Sequence, residues 1–153
     1  MKILFLDIDG VLNSTQFYNN KSTEDLILEP LDGRCVLHVK SIVDATDARI
    51  VITSTWRGGW EKEASRCSRE GQILNRFFKL YGLSIYDKTP VLPGRRGAEI
   101  RAYLDACPEK VTGYCIIDDN DFSWKKHHLH RHVVQTDFED GGLKEEHAKK
   151  AIE

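Results

Sequence analysis

Four acidic residues stand out by type and position. Asp7 and Asp9 sit two residues apart in "MKILFLDIDGVLN", directly after an apolar run and just before Gly10. Asp118 and Asp119 end a second apolar run in "YCIIDDND". A third run, "RIVI", leads into Thr53 and Ser54, with Arg57 close behind, and the basic pair Arg95 and Arg96 opens an amphipathic segment. Carboxylates gathered in an apolar setting raise one another's pKa and cannot all ionise. A hard divalent cation resolves the conflict. Mg²⁺ takes oxygen ligands and leaves positions for water or phosphate oxygens. Asp7, Asp9, Asp118 and Asp119 are therefore candidate magnesium ligands, with at least one carboxylate left free to react.

Such residues can meet only if the chain brings them together. The runs "ILFL" (3–6), "RIVI" (49–52), "YCII" (114–117) and "HVV" (132–134) are short, and their apolarity is continuous rather than alternating. That pattern suits strands of a parallel sheet buried on both faces. Val36, Val39, Ile42 and Val43 predict a helix near 35–47, and Ile73, Leu74, Phe77, Phe78 and Tyr81 predict one near 61–81, stopped by Gly82. Ile100, Tyr103 and Leu104 predict a third near 97–106, and "GGLKEEHAKKAIE" starts a last one after a glycine turn. Residues 83–92 are expected to give a short edge strand and a proline-containing loop; 13–25, a polar, mobile flap. Alternating strands and helices predict an α/β fold, a Rossmann-like doubly wound parallel sheet sandwiched by helices. In such sheets ligands bind at the carboxyl ends of the strands, where every run above places its polar residues.

Composition sets the wider bounds. The 153 residues are expected to form a single domain spanning 1–153, with 41% hydrophobic and 30% charged residues. A net charge of -2 argues against a basic nucleic-acid-binding surface over the whole chain. No apolar run suits a membrane span, and the first one breaks at Asp7, too early for a signal peptide. Cys35, Cys67, Cys107 and Cys115 lack C-x-x-C spacing and are expected to be reduced thiols in a cytoplasmic protein. In that setting the sequons at Asn13 and Asn20 are chance matches. The histidines of "KKHHLHRH" lack structural zinc spacing; a solvated loop is the default and a basic rim the functional alternative. Trp56, Trp60 and Trp124 are candidates for stacking on a base, though packing is the commoner fate. No dinucleotide-binding or P-loop glycine pattern is present.

"DIDGVLN" resembles the D-x-D-G-[TV] signature of the haloacid dehalogenase (HAD) superfamily of phosphotransferases. "IVITSTWR", "RRGAEI" and "IIDDND" are similar to its second, third and fourth motifs, in the expected order over residues 3–121. "TSTWR", the "TP" before the basic motif and "VVQTDFEDGGLKEEHA" resemble a small capless branch that includes the HAD domains of Swiss Army Knife RNA repair proteins.

The resemblance implies a HAD-like core without a separate cap domain, and a role for each matching residue. Asp7 would be the nucleophile, forming an aspartyl-phosphate. Asp9 would protonate the leaving oxygen, then activate water, while its backbone carbonyl binds Mg²⁺. Thr53 would hydrogen-bond a phosphoryl oxygen, with Ser54 able to share that task. Arg96, picked from the basic pair by the "RGAEI" register, would neutralise charge on Asp7 and the phosphoryl group. Asp119 is expected as the direct metal ligand, with Asp118 behind it or bridging through water. Arg57 is expected either to contact a substrate phosphate or to form a surface salt bridge.

The expected activity is a Mg²⁺-dependent phosphomonoesterase. Capless relatives admit large substrates, so the expected client is a phosphorylated nucleic-acid end or nucleotide. The alternatives are a small-metabolite phosphatase of the same chemistry and a non-catalytic phosphate-binding or regulatory module. Nothing points to a membrane or an obligate protein partner.

Overall fold

The chain alternates as its apolar runs require. The computed structural model describes residues 1–92 and 95–153. Strand β1 (Lys2–Leu6) is followed by helices α1 (Thr15–Asn19), α2 (Thr23–Leu28) and α3 (Gly33–Thr46), then β2 (Arg49–Ile52). Helix α4 (Arg69–Leu80), β3 (Ile85–Lys88), α5 (Arg96–Ala106), β4 (Gly113–Asp118), β5 (Val133–Gln135) and α6 (Glu145–Ile152) complete the order. The five strands form one sheet in the order β3-β2-β1-β4-β5, with every pairing parallel. β1 is central. The chain winds outward through β2 and β3, then returns to the other side of β1 for β4 and β5.

Both faces of the sheet are covered, and the side-chain alternation of β1 shows how. Leu4 and Leu6 join a cluster with Val36, Val39 and Ile42 of α3, Leu74 and Phe78 of α4, and Ala148 of α6. Ile3 and Phe5 point the other way, toward Ile100 of α5 and Trp124 and Leu129 of the loop before β5. Each such side chain contributes roughly 1.5–3 kcal/mol by leaving water. This double burial is why the strands read as unbroken apolar runs.

Local signals set the helix ends. Asp32 caps α3 by accepting from the Arg34 N–H at 3.0 Å. Gly82, at φ +70°, closes α4: its N–H reaches the Lys79 carbonyl and the Leu83 N–H reaches that of Phe78.

Three expectations need correction. The helix expected from residue 61 starts at Arg69, because 61–68 hold a short 3₁₀ turn (Ala64–Arg66) below the amphipathic stripe. The stretch 13–25 is not an open flap. It folds into α1 and the start of α2, capped by Ser14 and Ser22 hydroxyls that accept from the N–H groups of Phe17 and Asp25. The last strand begins at Val133, after a 3₁₀ turn over His130–His132.

Register aligns the ends that matter. Leu6 lies beside Ile52 and Ile117. One step further, the Thr53 N–H bonds the Leu6 carbonyl and the Asp7 N–H bonds the Ile117 carbonyl, each at 3.0 Å. Asp7, Thr53 and Asp118 thus finish three adjacent strands at one level. Among the described residues no helix is long and apolar enough to cross a membrane.

Candidate active site

Asp7 leaves β1 at the centre of the sheet, only 4% exposed. One oxygen each of Asp7, Asp118 and Asp119 lies within 4.8 Å of the others. Such crowding has a clear electrostatic effect. Burial first, then the Asp118 charge, push the Asp7 pKa up to about 7, against the pull of Arg96 and the Ile8 N–H. Burial also raises Asp118 and Asp119. Three carboxylates that resist ionising together form a donor set suited to a hard cation, so the residues fit the magnesium that the sequence implies.

Arg96 is the built-in counter-charge. Its Nη1 lies 3.1 Å from Asp7 Oδ1 and 2.7 Å from Asp118 Oδ2. Burial opposes its charge, but the two carboxylates outweigh it and hold the pKa above the usual arginine value. The guanidinium also lies over the Phe122 ring, 4.5 Å from its centroid. Arg95, one residue earlier, is exposed.

The fourth-motif pair divides in two ways. Asp118 is wholly buried, and its Oδ1 accepts the Asn120 N–H at 3.0 Å. Asp119 is half-buried and faces Gly10. Gly10 has φ +82°, and any Cβ there would collide with the Asp119 carboxylate, so this turn demands glycine twice over. The Thr136 hydroxyl fixes the same turn by donating to the Gly10 carbonyl at 2.8 Å.

Asp9 stands apart. Its carboxylate is not in the three-carboxylate group; one oxygen accepts from Asn13 Nδ2 at 2.8 Å and the other from Trp56 Nε1 at 3.2 Å. A metal bond from Asp9 would therefore come from its backbone carbonyl, as the resemblance implies, and not from its side chain.

Thr53 is fully buried, and its hydroxyl finds no partner among the described residues. Buried hydroxyls are ordinarily paired, so this one is free to donate to a bound group. Ser54 has a structural task already: its Oγ accepts the Trp56 N–H at 3.3 Å and caps the 3₁₀ turn over Thr55–Gly59.

Arg57 is not a surface ion pair: it is 5% exposed. Nη2 lies 2.8 Å from Glu99 Oε1, and Nη1 donates to the carbonyls of Thr53 and Ser54. Burial lowers its pKa while Glu99 opposes the shift. Its geometry buttresses the end of β2 from within.

The remaining aromatic and histidine expectations resolve by packing. Trp60 and Trp124 are buried, their indole N–H groups bonded to Asn75 Oδ1 and the Asn120 carbonyl. His132 stacks on Tyr114 with ring centroids 4.1 Å apart. His127 lies against Gly97 of α5. Among the described residues His127, His128, His130 and His132 form no metal-ligating group.

Sequence reasoning missed three partners. Asn13 and Glu99 looked like ordinary polar residues, and Phe122 like a loop aromatic. Only Asn13 carried a usable signal, since an amide four residues after an acid on a tight turn is placed to bond back to it.

The arrangement can hold a divalent cation, hold an anion against Arg96 and Thr53, and offer a buried carboxylate to it. The family model for the HAD domain in Swiss Army Knife RNA repair proteins matches residues 3–148. No curated protein and no solved structure matches the chain. The four motifs, the sheet order and this match agree: the chain belongs to the family of HAD domains found in Swiss Army Knife RNA repair proteins.

Proposed function

We propose that this chain is a Mg²⁺-dependent phosphomonoesterase that works through an aspartyl-phosphate on Asp7, with phosphorylated nucleic-acid or nucleotide ends as its clients. One observation carries the reading. A buried carboxylate, Asp7, faces a guanidinium at 3.1 Å and ends its strand level with Thr53, whose buried hydroxyl has no partner among the described residues. That is the complement of a tetrahedral anion about to be attacked.

The chemistry follows from the positions. Asp7 attacks phosphorus, forming a P–O bond as the bond to the leaving oxygen breaks. Asp9 gives its proton to that oxygen. It then takes a proton from the water that attacks the aspartyl-phosphate, which frees Asp7 and inorganic phosphate. Arg96 holds charge on the equatorial oxygens, and Thr53 donates its otherwise unused hydroxyl. Mg²⁺ held by Asp7, Asp118 and Asp119, with the Asp9 carbonyl, would screen the phosphoryl charge and keep Asp7 ionised.

The client is supported by a second feature. Beside α5 lies a cavity of about 380 Å³ lined by Arg95, Lys126, His127 and one acid, Asp121, with Phe122 shared between its wall and the Arg96 stack. Basic groups next to a phosphatase site suit a chain with more than one phosphate. A small-metabolite phosphatase is the second reading, favoured by the folded α1, which brings Tyr18 into the field of Asp9.

The test is hydrolysis of 3′- and 5′-phosphorylated oligonucleotides beside mononucleotides and sugar phosphates, with and without Mg²⁺. Magnesium-dependent release that Asp7→Asn abolishes, fastest on oligonucleotides, supports the proposal. Full turnover in excess chelator refutes the metal. A preference for sugar phosphates moves the client to the second reading.

A further inference from the structure

We infer that Trp56 is a positioning residue for Asp9, fixing the carboxylate that serves the leaving group; this rests on the proton-transfer role proposed for Asp9. The case is geometric. Asp9 is exposed and follows a strand end, a place where a short carboxylate would ordinarily sample several rotamers. Here both of its oxygens are occupied by fixed donors. Asn13 Nδ2 holds Oδ1 at 2.8 Å, and Trp56 Nε1 holds Oδ2 at 3.2 Å.

Neither donor is free to wander. Asn13 is fully buried and its own side-chain carbonyl oxygen accepts the Gly10 N–H at 2.9 Å. The Trp56 ring packs against the larger hydrophobic cluster, and its backbone N–H is tied to Ser54 Oγ at 3.3 Å. The indole is thus anchored in the 3₁₀ turn over Thr55–Gly59 that follows β2 and reaches across to the turn that follows β1.

This arrangement also keeps the Asp9 side chain out of the Asp7, Asp118 and Asp119 group. A carboxylate drawn into that group would add charge where charge is already crowded, and would leave the leaving oxygen without a donor. Proton transfer needs heavy atoms within about 3 Å, so a rotamer slip of one position removes the catalytic benefit.

Trp56→Phe keeps the ring and its packing but removes the N–H. The measurement is kcat/KM, which reports steps up to departure of the leaving group, for phosphate esters ranging from dinitrophenyl to a simple alkyl. Poor leaving groups depend on protonation and good ones do not. Losing one hydrogen bond to a carboxylate corresponds to about tenfold to a hundredfold. The expected result is that W56F loses several-fold more on the alkyl ester than on the dinitrophenyl ester. Asp9→Asn shows the same bias on a larger scale, and W56F adds no further bias in the D9N background. The ratio between two esters on one preparation is independent of how much protein is folded.

Equal losses on both esters, or biases that multiply in the double variant, overturn the role of Trp56 and leave that of Asp9 standing. If D9N itself shows no leaving-group bias, the Asp9 reading falls and the inference falls with it.

Discussion

Removing Glu99 should cost stability out of proportion to its size. Glu99 and Arg57 are 4% and 5% exposed and pair at 2.8 Å, so neither charge has water to fall back on. Glu99 Oε1 also accepts the Leu92 N–H at 2.8 Å. Glu99→Ala strands a buried guanidinium, an effect of about 3–5 kcal/mol. The orphaned Leu92 N–H adds little, because Val91 and Leu92 lie on an exposed stretch where water can replace the lost acceptor. About 4 kcal/mol is therefore the working figure. For a chain of this length each kcal/mol moves Tm by about 2–4 °C, which puts the loss at roughly 10 °C. Glu99→Gln keeps an acceptor and should lose roughly half as much. Replacing the pair together, Arg57→Met with Glu99→Leu, should return to within about 1 kcal/mol of wild type, since apolar packing substitutes well for a buried ion pair. Urea denaturation at constant m-value is the assay. A loss below about 1 kcal/mol for Glu99→Ala would show that Arg57 finds solvent or another partner. A defect in Arg57→Ala confined to oligonucleotide turnover, with stability intact, would return Arg57 to substrate contact.

Three further outcomes are expected. The Asp7 pKa of about 7 lies above its ordinary 3.8, so the metal-free folded state binds a proton that the unfolded chain has released in between. The Asp7 contribution is therefore fully present below about 4 and is lost as pH rises through 7; relative to Asp7→Asn, the metal-free protein should lose stability from pH 5 to 8, by roughly 3 kcal/mol at most. Mg²⁺ should raise Tm more at pH 8 than at pH 5, and the reverse order in melting curves refutes the linkage. Thr53→Val removes a hydroxyl with no partner among the described residues, so Tm should hold or rise while kcat/KM falls about a hundredfold; a clear drop in Tm with normal turnover overturns the orphan assignment. Arg95→Ala with Lys126→Ala should weaken binding of a phosphorylated oligonucleotide and flatten its salt dependence by a slope of about two, with a mononucleotide unaffected; equal weakening of both ligands shows that the cavity contacts no second phosphate.

The sheet was legible because burial on both faces writes itself as continuous apolarity, and "ILFL", "RIVI" and "YCII" fall within or match β1, β2 and β4. Helices with a stripe were equally legible: α3 buries Val36, Val39 and Ile42 at helical spacing. Helices without one were not. α1 buries only Phe17 and α2 buries nothing, so polarity concealed them, although Ser14 and Ser22 were there as caps. At the site, Asp7, Thr53, Asp118 and Asp119 converge because strand ends in a parallel sheet must, and Arg96 joins them from the start of α5. Arg57 was misread for the opposite reason. Its partner Glu99 is 42 residues away on another helix, and no local pattern distinguishes an arginine that will be buried from one that will not.

The central position of β1 has a consequence for how this chain is made. Its hydrogen bonds to β4 join Lys2–Leu6 to residues beyond 112, so one side of the strand that carries Asp7 stays open until most of the chain exists. At about 5–20 residues per second on a ribosome, that interval lasts on the order of ten seconds. Throughout it, the β4 side of β1 is an unpaired edge that carries the apolar residues Ile3–Leu6, the kind of template on which chains aggregate. Asp118 and Asp119 arrive only with β4, so until that strand is in place Asp7 stands without the two carboxylates that complete the acidic cluster.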